Sequence, residues 1–276
     1  MNTVDNNAKN ENQLTGQLEN ASGAIRYSML NDYMFRVVMQ KSIPALKKII
    51  SAVLHRSADS IGDIVINNTV IPGEAIEDKE YRMDISMTID NSTRVNIELQ
   101  VCDLKNWTCR SLHYLCREYE RCLKKGHKYE NDHAAYQIGF LDYTLFDDHV
   151  KFFSSFEMCD VDDYYKYNSN FALFVIDLTQ IDKATEADKA SELDKWCRLF
   201  KAKTWDELKN IVKEDRIMAE TAEAIYIYNS DEIIQKRCQD REEYLAEKNW
   251  YEEQLKKKDS EIAILREKLK SLGVEP

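Results

Sequence analysis

Two short stretches, YRMDISMTI (residues 81–89) and RVNIELQV (94–101), constrain this chain more than any other part of it. In the first, Tyr81, Met83, Ile85, Met87 and Ile89 alternate with Arg82, Asp84, Ser86 and Thr88; in the second, Val95, Ile97, Leu99 and Val101 alternate with Arg94, Asn96, Glu98 and Gln100. A period of two marks a strand with one apolar face. The intervening DNST is made of turn formers, so the pair reads as an antiparallel hairpin. Partners across a ladder point to the same side, and a slip of one residue would put the apolar set in water. Even-numbered residues therefore face even-numbered ones, with Asp84 opposite either Glu98 or Gln100 and direct partners about 4.5–5.5 Å apart at Cβ.

A solvated sheet face accounts for polar residues at every second position in many antiparallel hairpins. Carboxylates sharing one patch of sheet nevertheless repel, and a divalent cation reverses the sign. A few carboxylate oxygens, with room for water and a substrate phosphate, are the usual setting for Mg²⁺.

The 276 residues suffice for one large domain with an appendage, and 43% hydrophobic residues supply an ample core. A net charge of −11 weighs against nucleic-acid binding by the chain as a whole, because phosphate contacts need local positive charge. Charge distribution overrides that total. Between Cys102 and Glu130, Lys105, Arg110, Arg117, Arg121, Lys124, Lys125 and Lys128 outnumber Asp103, Glu118, Glu120 and Glu130. Seven cysteines without C-x-x-C or paired His spacing indicate neither a zinc site nor a disulfide framework, which points to a cytoplasmic setting. No apolar run approaches the ~18–20 residues of a membrane span, and residues 1–24 read as a disordered polar tail.

After that tail, SMLNDYMFRVVMQKSIPALKKIISAVLHR predicts two helices or one broken at Pro44, with Asn31 or Asp32 as cap. IGDIVINNTVI (61–71) is a further strand, closed by Pro72 and Gly73. Residues 106–126 form a helix ending at Gly126, with Leu112, Leu115, Tyr119 and Cys122 as its core face. Arg110, Tyr114, Arg117 and Arg121 make a separate stripe, either a solvated face with a few ion pairs or the lining of a phosphate-binding groove. Residues 134–141, 150–158 and 171–181 are extended, giving a mixed sheet of about five or six strands. From about residue 185 the pattern is helical only, with Thr204 capping one helix. Four regions follow: the tail 1–24, an α/β domain 25–183, a helical subdomain 184–238 and a coiled-coil tail 239–276. Tyr251, Leu255, Ile262, Leu265, Leu269 and Leu272 form the tail's heptad seam, interrupted by Lys258. The seam predicts a short coiled coil joining a homodimer; the alternative is an amphipathic helix folded back on the domain.

NDYMF on an early helix, PGEAIEDKEYRMDI, VNIELQ, an Arg- and Tyr-bearing helix ending LKKGHKY, and IGFLDYTLF together resemble the PD-(D/E)XK nuclease family transposases, the recombination-promoting nuclease group. The resemblance covers about residues 28–235. It implies a restriction-endonuclease-like α/β fold, a mixed central sheet flanked by helices, and Mg²⁺- or Mn²⁺-dependent endonuclease activity on DNA. Asp84 and Glu98 match the motif acids and are the implied metal ligands, with the backbone carbonyl of Leu99 as a third and Asp32 as an additional helix-borne acid. Gln100 stands where the motif usually has lysine; its amide orients a water but brings no charge. Lys79 matches a recurrent family lysine and is a candidate for the missing positive charge. A non-catalytic DNA-binding or assembly protein that keeps the fold is the rival reading.

Overall fold

The computed structural model describes residues 16–67, 85–122 and 133–273. In chain order the elements are α1 (Gly16–Glu19), α2 (Asp32–Met39), α3 (Ile43–Leu54), β1 (Ile64–Ile66), β2 (Ile85–Ile89), β3 (Thr93–Gln100), α4 (Trp107–Cys122), β4 (Ala134–Leu141), β5 (Phe153–Cys159), β6 (Lys166–Asp177), α5 (Glu186–Ala190), α6 (Leu193–Lys201), α7 (Trp205–Val212), α8 (Arg216–Ser230) and α9 (Glu232–Ser271). The strands form one six-stranded mixed sheet in the order β1-β2-β3-β4-β6-β5. Contacts divide the chain into two units, one ending at Cys238 and the other starting at Gln239.

The hairpin forms as its alternation requires. Ile85 pairs with Ile97, Met87 with Val95 and Ile89 with Thr93, antiparallel. Asp90 and Asn91 take the left-handed backbone (φ 49° and 58°) that lets a three-residue loop close, a conformation Asp and Asn tolerate better than most residues. Asp84 and Lys79 lie outside the described residues, as do Gly126 and the part of the 61–71 strand beyond Asn67.

Beyond the hairpin, β3 pairs parallel with β4, and β4 parallel with β6. A parallel neighbour requires a crossover, here α4, and the crossover helix covers one face of the sheet. The polar side of the hairpin is therefore not a solvated face, as its pattern alone would allow: Asn96, Glu98 and Gln100 are all buried. The opposite face, carrying Ile85, Met87, Val95, Ile97 and Leu99, packs against α2, α3 and the later helices in one large core.

Three expectations are corrected here. The polar tail does not reach residue 24, because Leu18 is fully buried and Ala24 bridges to Thr204. The helices after residue 184 do not form a subdomain of their own: Phe200 sits edge-on against Phe35 and Phe140, both at 5.3 Å between ring centroids, so α6 shares the sheet's core. On α4, Leu112 is exposed and lines an apolar groove with Phe146, Phe156 and Met158, while Trp107, Ser111 and Glu118 are buried instead.

Local signals placed the helix boundaries. Asn31 caps α2 by accepting from the Met34 N–H, which leaves Asp32 in the first turn. Ser42 caps α3, with Pro44 in its first turn, so there are two helices and not one broken one. Thr204 caps α7, accepting from the Glu207 N–H at 3.2 Å.

Candidate active site

Glu98 lies in the last turn of alternation of β3, beside Gly139 of β4, and is 3% exposed. Burying a carboxylate is costly unless a charge or several donors meet it. Arg110 meets it: its Nη2 is 2.5 Å from Glu98 Oε1. The pair is charge-assisted at both ends, and such contacts are short.

What sets this pair in place is a glycine. A Cβ built on Gly139 would come within 2.1 Å of the Trp107 ring, so only glycine lets that indole lie flat on the strand. Trp107 begins α4, and Arg110, one turn further on, then falls above Glu98. At its other end α4 is pinned by Cys122, whose thiol donates to the Ala134 carbonyl at the start of β4. The helix thus runs antiparallel to β3 and β4, from the carboxylate end of the sheet back to its start.

Gln100 is 7% exposed and points to the same face as Glu98. Its Nε2 donates to the Cys102 carbonyl at 3.0 Å, which fixes the orientation of the amide. The amide oxygen, buried and without a hydrogen-bond partner, is the atom offered to the site. The main-chain carbonyl of Gln100 accepts from the Asp142 N–H at 3.0 Å, and Lys201 bonds the Asp142 carboxylate at 2.8 Å. These contacts tie the ends of β3 and β4 to α6.

Tyr143, two residues beyond β4, is a site residue that pattern reading gave no role. Its hydroxyl is buried without a partner, and its ring packs against the cluster of Trp107 and Leu115. Burial pushes the phenol well above its ordinary range, and Asp103 and Glu98 push it further while Arg110 opposes them, which places the hydroxyl among those charges. The one signal for it in the sequence was its position in DYT, just after a strand that ends beside Glu98.

The remaining candidates fall in different places. Leu99 turns its side chain to the opposite core while its backbone stays in the ladder beside Phe140. Asp32 is buried in the first turn of α2, a helix that packs on the Ile97 and Leu99 face and not on the α4 face. Of the basic stripe, Arg110 also stacks over the Tyr114 ring at 5.5 Å. Arg121 bonds Glu118 at 2.6 Å, so part of its charge is already matched, and Arg117 is half-buried.

Among the described residues no group of three or more His, Cys, Asp or Glu side chains could hold a metal ion. Glu98 and the unpartnered amide oxygen of Gln100 nonetheless set oxygen donors on one face of the sheet. Such donors suit Mg²⁺ or Mn²⁺ and not a soft metal. The seven cysteines are all free thiols, and no described helix is long and apolar enough to cross a membrane. A family model described as PD-(D/E)XK nuclease family transposase matches residues 29–254. No curated protein and no solved structure gives a significant match.

Proposed function

Because the chain belongs to the PD-(D/E)XK nuclease family transposases, we propose that it is a metal-dependent DNA endonuclease acting at the carboxylate end of β3, with a role in DNA recombination. The observation that carries this reading is the buried Glu98, held by Arg110 at the mouth of a helix that carries the basic stripe. A solvated hairpin face needs no such carboxylate, and a scaffold gains little from burying one.

Glu98 and Asp84, with the Leu99 carbonyl, would hold Mg²⁺ or Mn²⁺; Asp32 is the more distant candidate, since its helix covers the other face. The ion supplies neutralisation of phosphate charge and a water acidic enough to attack at neutral pH. The chain's own groups do the rest. The amide oxygen of Gln100 accepts a hydrogen bond from the attacking water and orients it, a role that needs no charge. Arg110 is mounted to exchange Glu98 for a phosphate oxygen and brings the positive charge that Gln100 lacks, a part that Lys79 shares. Tyr114, Arg117 and Arg121 continue along α4 as the track for the DNA backbone. Two copies associate through the seam of the tail.

The test is plasmid cleavage at low salt with Mg²⁺ and then Mn²⁺. Nicking by the wild type that disappears in Asp84→Ala and in Glu98→Ala supports the nuclease and its site together. Absence of nicking with either ion, or nicking that survives both substitutions, overturns it in favour of a DNA-binding or assembly protein that retained the fold.

A further inference from the structure

We propose that the tails of two copies pair antiparallel, centred between Ile262 and Leu265; this rests on the pairing through the tail given above. Along α9 only Ile234 and Cys238 are buried. From Gln239 onward the helix exposes Leu255, Ile262, Leu265, Leu269 and Leu272, Leu265 to 58%. An isolated helix of this kind is marginal in water, because helical stability comes mostly from packing an apolar face. The seam therefore calls for a cover, and its spacing of four and three residues is the spacing that a second helix with the same seam fills.

Charge decides the direction. In a parallel, in-register pair each seam residue meets its own copy, so Lys258 would face Lys258 in the middle of the apolar layers. Flanking residues would match poorly: Glu261 would reach Arg266, but Asp259 would meet Gln254 and Lys268 would meet Gly273. In the antiparallel arrangement Leu255 faces Leu272, Ile262 faces Leu265, and Lys258 faces Leu269, against which its methylene stem packs while the ammonium reaches water. Glu261 then lies beside Lys268 of the second copy and Asp259 beside Arg266. Both arrangements bury Leu255, Ile262, Leu265, Leu269 and Leu272, and only the parallel one also layers Tyr251 on its own copy; against that single layer, the flanking charges and the lysine layer set the choice.

The consequence is distance. Antiparallel tails keep the two Gln239 junctions about 70 Å apart, where parallel tails would bring them side by side. That span corresponds to about twenty base pairs of duplex.

The experiment uses the full chain with Ala246→Cys, an exposed position off the seam, in a background where the exposed Cys109, Cys116 and Cys159 are replaced by serine. Light scattering gives the mass, and electron–electron spin-distance measurement on a nitroxide at position 246 gives the direction. A dimer with a distance of about 50 Å supports the antiparallel tail, since position 246 lies well to one side of the centre. A dimer with a distance of about 20 Å, two helix diameters, overturns the direction and leaves the pairing intact. A monomeric mass overturns the pairing itself, and neither result bears on the cleavage assay.

Discussion

Glu98 and Arg110, twelve positions apart in sequence, meet at 2.5 Å because one belongs to the strand that enters a crossover and the other to the helix that makes it. The carboxylate is buried and the Arg110 side chain is 29% exposed, so the pair is closed on the side of the sheet and only partly covered on the side of the helix. Removing either partner has a different cost. Arg110→Ala takes the guanidinium away from a buried carboxylate and should lower stability by about 1–3 kcal/mol, less than the ~3–5 kcal/mol of a fully buried pair because Arg110 is partly solvated. Adding Glu98→Gln to that variant should recover part of the loss. Urea unfolding of the two single variants and the double variant measures it, and simple additivity would show that the pair carries no coupling.

The same geometry makes Gly139→Ala a test of how α4 is seated. The new methyl group would drive into the Trp107 ring, and overpacking of this kind costs about 1–3 kcal/mol. Cleavage should fall together with the melting temperature, because lifting Trp107 moves Arg110 off Glu98. Trp107→Phe in the same chain should restore part of both; unchanged stability of Gly139→Ala would mean that the helix is not seated by this contact.

Tyr143→Phe separates chemistry from structure. Its hydroxyl is buried with no partner, so deleting it should leave stability unchanged or raise it by up to about 1 kcal/mol. If that hydroxyl serves the site beside Glu98 and Arg110, cleavage should drop about tenfold under the same conditions. Steady-state nicking beside thermal melting reads both, and full activity in Tyr143→Phe would remove the residue from the site.

Asp215 gives a pH-dependent prediction away from the site. It caps α8, accepting from the Ile217 and Met218 N–H groups at 2.8 and 3.0 Å, and it pairs with Lys48. Burial alone would raise its pKa, but the bond from Lys48 and those of the cap outweigh burial and leave it lowered. A depressed folded pKa contributes stability that is present above the ordinary carboxylate value of about 3.9 and is lost as pH falls through the folded value. Asn caps as well as Asp, so Asp215→Asn should lose only the ion pair with Lys48 and the charge at the start of α8, about 1 kcal/mol at pH 7. The gap should narrow below about pH 4, as followed by denaturant unfolding across pH. A gap that stays constant down to pH 2 would mean that the charge of Asp215 plays no part.

Much of this fold was legible in the sequence. Alternation gave the hairpin and its register class, because period two is a local property of which residues can share a face, and short extended runs gave the strands at 134–141 and around 171–177. Asn31 and Thr204 marked helix starts for an equally local reason, since a cap bonds a backbone N–H two or three residues away.

The rest was not. The burial of Glu98, its partner and the position of Tyr143 beside it depend on where α4 lies, and that is fixed by a steric fit between Trp107 and Gly139 across thirty-odd residues of chain. The later helices read as a separate body because their own periodicity is self-contained, yet Trp196 and Phe200 complete a core whose other wall is Phe35 and Phe140. Sequence by itself determined which residues alternate, cap and carry charge, since those preferences act over a few bonds. Only the tertiary structure decided which polar face is closed off from water and which cation meets the carboxylate inside it, because burial is a property of what packs on top, and what packs on top comes from elsewhere in the chain.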